Sequence, residues 1–321
     1  MIVLTGAAGF IGSAMLTHLN DQGHTDIMLV DDFEVVAKQP NWEPKAYTQT
    51  LDRKHFIQWF QANHGLVKFV FHLGARTDTS EKDYNLLKHL NLHYSQSIWR
   101  ICAAYKIPLV YASSAATYGD GSYGFSDSHE LTPVLEPLNP YGDSKQEFDV
   151  WALEQEKAPP RWAGLKFFNV YGPNEYHKGR MASVILHTYR QIQETGRMRL
   201  FRSHKEGIKD GEQRRDFIYV KDIVEMLYFF YQFQVESGLY NAGTGRSRTF
   251  MALATAVFDA LQLTPDIDFI DTPADIRNTY QYYTEADMQK LIDAGYTGTF
   301  TELEDGVRDY VTNYLEGKRY W

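Results

Sequence analysis

Residues 1–12 constrain this chain more than any other stretch. Met1 to Thr5 has the pattern of a short buried strand, and it runs into Gly6-Ala7-Ala8-Gly9-Phe10-Ile11-Gly12. An amphipathic helical pattern follows to about Gln22. Strand, glycine turn and helix is the context that a phosphate-binding loop requires. Gly6 permits the tight turn, Gly9 lets the backbone approach a pyrophosphate, and Gly12 allows close packing of helix on strand. The spacing is Gly-x-x-Gly-x-x-Gly rather than the Gly-x-Gly-x-x-Gly of many dehydrogenases, and a plain glycine-rich turn is the bland alternative.

Beyond Gln22 the chain keeps alternating strand with helix. Ile27 to Val30 reads as a second strand ending in Asp31-Asp32. An acid at this strand end holds the ribose hydroxyls of an adenosine, whereas a 2′-phosphate needs a cation there. Lys38, Arg53 and Lys54 follow closely, so NAD and NADP both stay open. A helix near Lys54 to Ala62 leads to the strand Val67 to Leu73, then to the small and polar run Gly74-Ala75-Arg76-Thr77-Asp78-Thr79-Ser80. A long helix is expected from about Tyr84 to Ala104. Its Asn91 faces either a cofactor or the core. His89 and His93 have metal-ligand spacing, but no third ligand is evident and no metal is expected. Pro108 to Ala112 is the next strand, ending in Ser113-Ser114-Ala115-Ala116-Thr117-Tyr118-Gly119, and Ala163 to Val170 is another. The alternation predicts an α/β fold with a doubly wound parallel sheet, whose ligands sit at the carboxyl ends of the strands.

Between the last two strands lies Asn139-Pro140-Tyr141-Gly142-Asp143-Ser144-Lys145. Residues four apart share one helix face. The Lys145 ammonium is therefore expected near the Tyr141 phenol, directly or through a ribose hydroxyl. A free phenol titrates at about 10. A general base at neutral pH needs ~7, a shift of roughly 4 kcal/mol, and a fixed positive charge is the simplest source of it. Alone, the pair fits a surface helix that happens to carry Tyr and Lys better than it fits a catalytic site. Ser114 is either a ligand at a strand end or a turn residue. Lys178, on a loop fed from a strand end, is a candidate second proton carrier, with His177 beside it.

The last third is differently composed. It predicts short strands at Met198 to Phe201, Asp216 to Val220 and Leu239 to Asn241, with helices near Asp222, Phe250, Glu285 and Thr301. Lys205 to Gln213 reads as an exposed loop, and Arg214-Arg215 after it as a clamp for a pyrophosphate. The chain of 321 residues suits one large or two modest domains, and its net charge of −9 disfavours nucleic acid or an anionic membrane as partner. The one cysteine, Cys102, fits a reducing compartment and reads as core. The apolar N-terminus reads as part of the fold rather than a leader, and a cytoplasmic location is expected.

Taken together, TGAAGFIG, YASSAATYG, PYGDSK, FFNVYGPNEYHKG, RRDFIYV and NAGTGR resemble the extended short-chain dehydrogenase/reductases that act on nucleotide sugars. The resemblance covers nearly the whole chain. It implies a Rossmann-type domain over residues 1–170, with segments near 212–246 returning to it, and a smaller α/β substrate-binding domain over 171–321. It implies an epimerisation at carbon six of an ADP-bound heptose, through a ketone, with tightly bound NADP (NAD being the other option). Tyr141 and Lys178 would be the two acid/base groups, Lys145 would hold the nicotinamide ribose and lower the phenol, and Ser114 would hydrogen-bond the reacting oxygen. The cofactor contacts it implies are Gly6, Gly9, Phe10, Ile11, Gly12, Asp31, Asp32, Lys38, Arg53, Leu73, Gly74, Ala75, Arg76, Thr77, Asn91, Lys145, Val170 and Lys178. Its substrate contacts are Ser114, Asn169, Arg180, His187, Phe201, Arg202, Ser203, His204, Arg215 and Tyr280. It also implies a homo-oligomer, a pentamer. Asp32 stands where the family usually has an uncharged polar residue, and Arg180 replaces a small one. Two other readings are a 4-epimerase and a dinucleotide-binding sensor without catalysis. The retained Ser114, Tyr141 and Lys145 argue against the sensor. Ala115-Ala116, in place of an acidic pair, argues against a dehydratase.

Overall fold

The computed structural model describes residues 1–277 and 280–321. Its first strands are β1 Ile2–Thr5, β2 Ile27–Asp31, β3 Gln49–Asp52, β4 Phe69–His72, β5 Leu109–Ser114 and β6 Trp162–Phe167. They continue as β7 Asn169–Tyr171, β8 Met198–Phe201, β9 Arg214–Arg215, β10 Phe217–Tyr219, β11 Gly238–Ala242, β12 Arg248–Thr249 and β13 Ile267–Ile270. Seven of them form one sheet in the order β11-β6-β5-β4-β1-β2-β3, every pair parallel. Strand order reverses at β1, between β2 and β4, which opens a crevice at the carboxyl ends where the glycine turn lies. This is the doubly wound sheet that the alternation predicts.

Both faces of the sheet are covered, as parallel strands require. Side chains alternate along each strand. Leu4 and Leu29 point into one apolar cluster, with Leu16 and Leu19 of the helix Phe10–Asp21 and Ile223 and Leu227 of the helix Val220–Gln232. Val3, Met28 and Val70 point into another, with Phe56, Trp99 and Phe148 from three further helices. Cys102 is buried there. No helix among the described residues is long and apolar enough to cross a membrane.

Three differences from the sequence reading matter. The strand expected over Ala163 to Val170 breaks at Phe168, and its second piece, β7, leaves the large sheet to pair with β10. The long helix begins as Tyr84–Leu87, widens through a π-helical stretch at Lys88–His93 and continues as Tyr94–Tyr105. The helix expected near Glu285 forms at Gln289–Asp293 instead. Beyond β7 the pairs are short: parallel β8–β13 and antiparallel β9–β12.

Candidate active site

The carboxyl ends of β5 and β6 open into a cavity of about 750 Å³. Ser114 and Tyr141 both line it. Tyr141 is brought there by the helix Pro140–Leu153, whose start is fixed by proline in its first turn and by Asn139, whose side chain accepts the Gly142 N–H at 2.9 Å. Ser114 is the last residue of β5, and its hydroxyl accepts the Ala116 N–H at 3.1 Å. The Tyr141 phenol stands above its ordinary value. Burial is the largest cause, the Ser114 hydroxyl pulls it back down, and the Asp149 carboxylate adds to the rise.

Lys145 donates its ammonium to the Ala112 carbonyl of β5 at 2.8 Å. Burial lowers it to about 8, with Asp149 opposing. The strand carbonyl lies within reach of the same helix face and claims the ammonium, so these side chains alone do not make a lowered tyrosine.

The crevice above β1 is shaped by close backbone approach. Gly6 has φ +69°, and a Cβ on it would stand 2.6 Å from the Gly74 nitrogen. A Cβ on Gly12 would collide with the Gly6 carbonyl oxygen. Gly9 begins the helix Phe10–Asp21, so the free N–H groups of that first turn face the crevice. At the end of β2, Asp31 accepts from the Ala8 N–H at 2.9 Å and from Lys38 at 2.9 Å. Asp32 lies 3.6 Å from Arg53, and its Oδ1 is buried with no partner. An orphan acceptor at that strand end is what a ribose hydroxyl would meet. Leu73 donates to the Thr5 carbonyl, and Gly74 to the Thr5 hydroxyl at 3.2 Å, holding the run Leu73 to Thr77 against the glycine turn. Asn91, read as facing either a cofactor or the core, bonds the Arg76 backbone through both amide ends and donates to Ser144 at 3.0 Å.

Lys178 does not line the cavity. Its ammonium lies 5.2 Å over the Phe10 ring, and burial lowers it while Glu175 opposes. Gly179, with φ +54°, turns the chain so that Arg180 and Met181 line the cavity instead. His177 lies 3.4 Å from Asn41 and is lowered to about 4, by burial and then by Lys38 and Lys178. It is therefore neutral, on the Asp31 side of the crevice.

Of the residues expected to touch substrate, Ser114, Asn169, Arg180, Arg215 and Tyr280 line the cavity. Asn169 reaches it because β7 begins just after the break at Phe168. Arg215 is buried and has no carboxylate partner among the described residues: its guanidinium donates to the backbone carbonyls of Arg214 and Gln281 and lies 5.4 Å from the Tyr280 ring. Burial lowers it to about 10, so it stays charged. Val170 is half-buried beside Asn169. The remaining candidates do not line the cavity. His187 bonds the Arg180 carbonyl at 3.3 Å. Phe201 packs on Tyr280, and Arg202 bonds the Phe269 carbonyl. Ser203 donates its N–H to Asp210 at 2.8 Å, and His204 donates its N–H to Tyr282. The wall Thr79–Lys82, with Leu138 and Gln281, lines the cavity unforeseen. Thr79 and Ser80 belong to the polar run after β4, so part of that wall carried a signal; Gln281 arrives by tertiary return alone.

Comparison with known proteins places this geometry. The description "NAD dependent epimerase/dehydratase family" matches residues 2–243. ADP-L-glycero-D-manno-heptose-6-epimerase of Fusobacterium nucleatum is 46% identical, over 98% of each chain. The protein of that name from Nitratidesulfovibrio vulgaris is 48% identical, again over 98% of each. The crystal structure of the Helicobacter pylori ADP-L-glycero-D-manno-heptose-6-epimerase superposes with a TM-score of 0.81 at 25% identity, covering 97% of this chain and 95% of that one. A crevice built on glycines, a serine and tyrosine on one cavity wall and matches of this extent have one common reading: the chain belongs to the NAD dependent epimerase/dehydratase family.

Proposed function

We propose that this enzyme inverts carbon six of ADP-D-glycero-D-manno-heptose to give the L-glycero epimer, for lipopolysaccharide core synthesis. The observation that carries this reading is the full-length similarity to proteins of that name. The cavity supports the reaction class, since it sets a hydroxyl, a phenol and a buried cation around one space. In this reading residues 1–170, with 212–246, hold the cofactor and the rest of 171–321 holds the sugar.

A nicotinamide dinucleotide fits the residues present: the glycine turn would hold its pyrophosphate, and the Asp32 oxygen, unpartnered among the described residues, would accept from a ribose hydroxyl. Asp31 and Asp32 pair with Lys38 and Arg53, so the reading is NADP(H) with NAD(H) also accepted and little preference between them. When bound, such a cofactor would supply the hydride acceptor and donor that an epimerisation through a ketone needs.

The chain's own groups handle protons and position. As phenolate, a state that the Ser114 hydrogen bond favours, Tyr141 takes the proton of the carbon-six hydroxyl, and Ser114 hydrogen-bonds the same oxygen. Lys145 holds the nicotinamide ribose. Arg215 draws the diphosphate to the far end of the cavity. After the ketone turns over, its oxygen lies away from Tyr141, and Lys178 returns the proton there. Burial lowers Lys178, with Glu175 opposing, which makes its ammonium a better proton donor than a free lysine. The enzyme is cytoplasmic and a pentamer, which sedimentation measures.

Incubation with ADP-D-glycero-D-manno-heptose, followed by NMR, tests the reading. Inversion at carbon six is expected. Inversion at carbon four of a UDP-sugar, with the heptose untouched, would replace it by a 4-epimerase.

A further inference from the structure

Beneath Tyr141 and Lys145 lies an ion pair to which the reaction above gives no part. Asp149 stands four residues after Lys145 on the helix Pro140–Leu153, hence on the same face. Asp149 and Lys166 of β6 are both fully buried, with oxygen and nitrogen 2.7 Å apart. Their hydrogen bonds are well satisfied. Tyr111 donates to one Asp149 oxygen at 3.0 Å and Ser113 to the other at 2.6 Å. Lys166 also donates to the Thr117 hydroxyl at 2.9 Å.

Such a pair is poor value as packing. Taking two charges out of water is costly, and apolar side chains of like size often serve stability as well or better. Position gives it a better rationale. Tyr111 and Ser113 bracket Ala112, whose carbonyl takes the Lys145 ammonium at 2.8 Å. The helix is therefore fastened to three successive residues of β5, and the next residue is Ser114. A helix slipped along this strand would carry Tyr141 and Lys145 out of step with Ser114.

We propose that Asp149, with Lys166 behind it, is a positioning residue: it sets the helix register that aligns Tyr141 and Lys145 with Ser114 and supplies a fixed negative charge beneath them. The assignment rests on Tyr141 and Lys145 being the reactive pair. The groups facing Asp149 are Lys166 from β6, Tyr111 from β5, Tyr118 from the turn after it, and Tyr141 and Lys145 from its own helix. His72 of β4 faces Lys145 from the other side and is neutral, lowered to about 3 by burial and by Lys145. Asp149 raises both Lys145 and Tyr141, so removing its charge moves both toward acid.

The test compares the parent with the double variant Asp149→Asn/Lys166→Met, which leaves no buried charge alone. Two profiles are read against pH: epimerisation, and NADPH binding by fluorescence. The expected result is an alkaline limb displaced to lower pH by about half a unit or more in both profiles, with kcat down about tenfold and KM within about threefold. Unmoved limbs, with only a uniform loss, would mark the pair as structural and overturn the proposal. Should the double variant not fold, Asp149→Glu decides. It keeps the charge but shifts it by one methylene, so the limbs should stay while kcat falls, and an unchanged kcat overturns the register role. A parent that bound NADPH but left the heptose untouched would defeat the proposed function, while the NADPH profiles would still decide the part played by Asp149.

Discussion

Lys178 and Arg180 face different compartments although one residue separates them. The Lys178 ammonium lies 5.2 Å over the Phe10 ring, beside the glycine turn, while Arg180 lines the cavity. The turn at Gly179 divides them. If Lys178 is the second proton carrier, as proposed, it acts from the glycine-turn side rather than from the cavity wall that carries Tyr141.

Two variants probe this division. Tyr141→Phe and Lys178→Met should each lower epimerisation by about 10²- to 10⁴-fold, the range for a positioned acid or base. Cofactor affinity should change little in either. Both are read by NMR turnover and by fluorescence titration of NADPH. Parental turnover in Lys178→Met would remove the second proton carrier from the scheme.

Lys145 gives a pH dependence with a definite sign. Its value falls from 10.5 to about 8, mainly through burial. If its charge holds the nicotinamide ribose, NADPH affinity should fall as pH rises through about 8. Stability should move the other way. Between about 8 and 10.5 the unfolded chain keeps this proton and the folded chain has lost it, so this group's contribution to stability rises with pH across that window. Below 8 the cost of the buried charge is present in full. Titrations and denaturation midpoints of the parent against Lys145→Met, from pH 7 to 10, measure both. A parent whose NADPH affinity stayed flat through that range would leave Lys145 without this role.

The sequence made the sheet legible because its signals are local. Gly6, Gly9 and Gly12 sit between a strand and a helix, and apolar alternation along β1 and β2 marks two faces. Tyr141 and Ser114 were legible because strand ends and a proline-started helix place them. The orientation of Lys145 was not, because the Ala112 carbonyl that holds it belongs to another element. The same holds for Asn91, whose partners Arg76 and Ser144 lie on a loop and a helix distant in sequence. Arg202, Ser203 and His204 missed the cavity because Phe269, Asp210 and Tyr282 engage them in side contacts that spacing does not reveal. Asp149 was within reach, since it repeats the four-residue step from Tyr141 to Lys145.

Arg215 should govern affinity rather than rate. Its guanidinium is buried, charged and bonded only to backbone carbonyls among the described residues. A hydrogen bond to a charged partner contributes roughly 1.5–3 kcal/mol. Arg215→Met should therefore weaken ADP binding by about 10- to 100-fold, with kcat within about fivefold of the parent. Calorimetry with ADP and saturating turnover measure the two effects. A large fall in kcat with unchanged ADP affinity would move Arg215 from the diphosphate to the reacting centre.

The two acids at the end of β2 should set the cofactor preference. Asp31 is paired with Lys38 at 2.9 Å and Asp32 with Arg53 at 3.6 Å, so two cations meet two anions. A 2′-phosphate arriving there finds no surplus positive charge, and it must share Arg53 with Asp32. A ribose hydroxyl finds the unpartnered Asp32 oxygen. The balance predicts that NADPH and NADH bind within about tenfold of each other, a difference of ~1.4 kcal/mol. Asp32→Asn removes one negative charge and releases Arg53, and it should raise the NADPH preference by about another tenfold. Parallel fluorescence titrations of parent and variant with both cofactors provide the measurement. A parent that preferred NADPH by more than about a hundredfold would mean that Lys38 and Arg53 leave their carboxylates to meet the phosphate, and the pairing at this strand end would then describe a competitor of the cofactor rather than its seat.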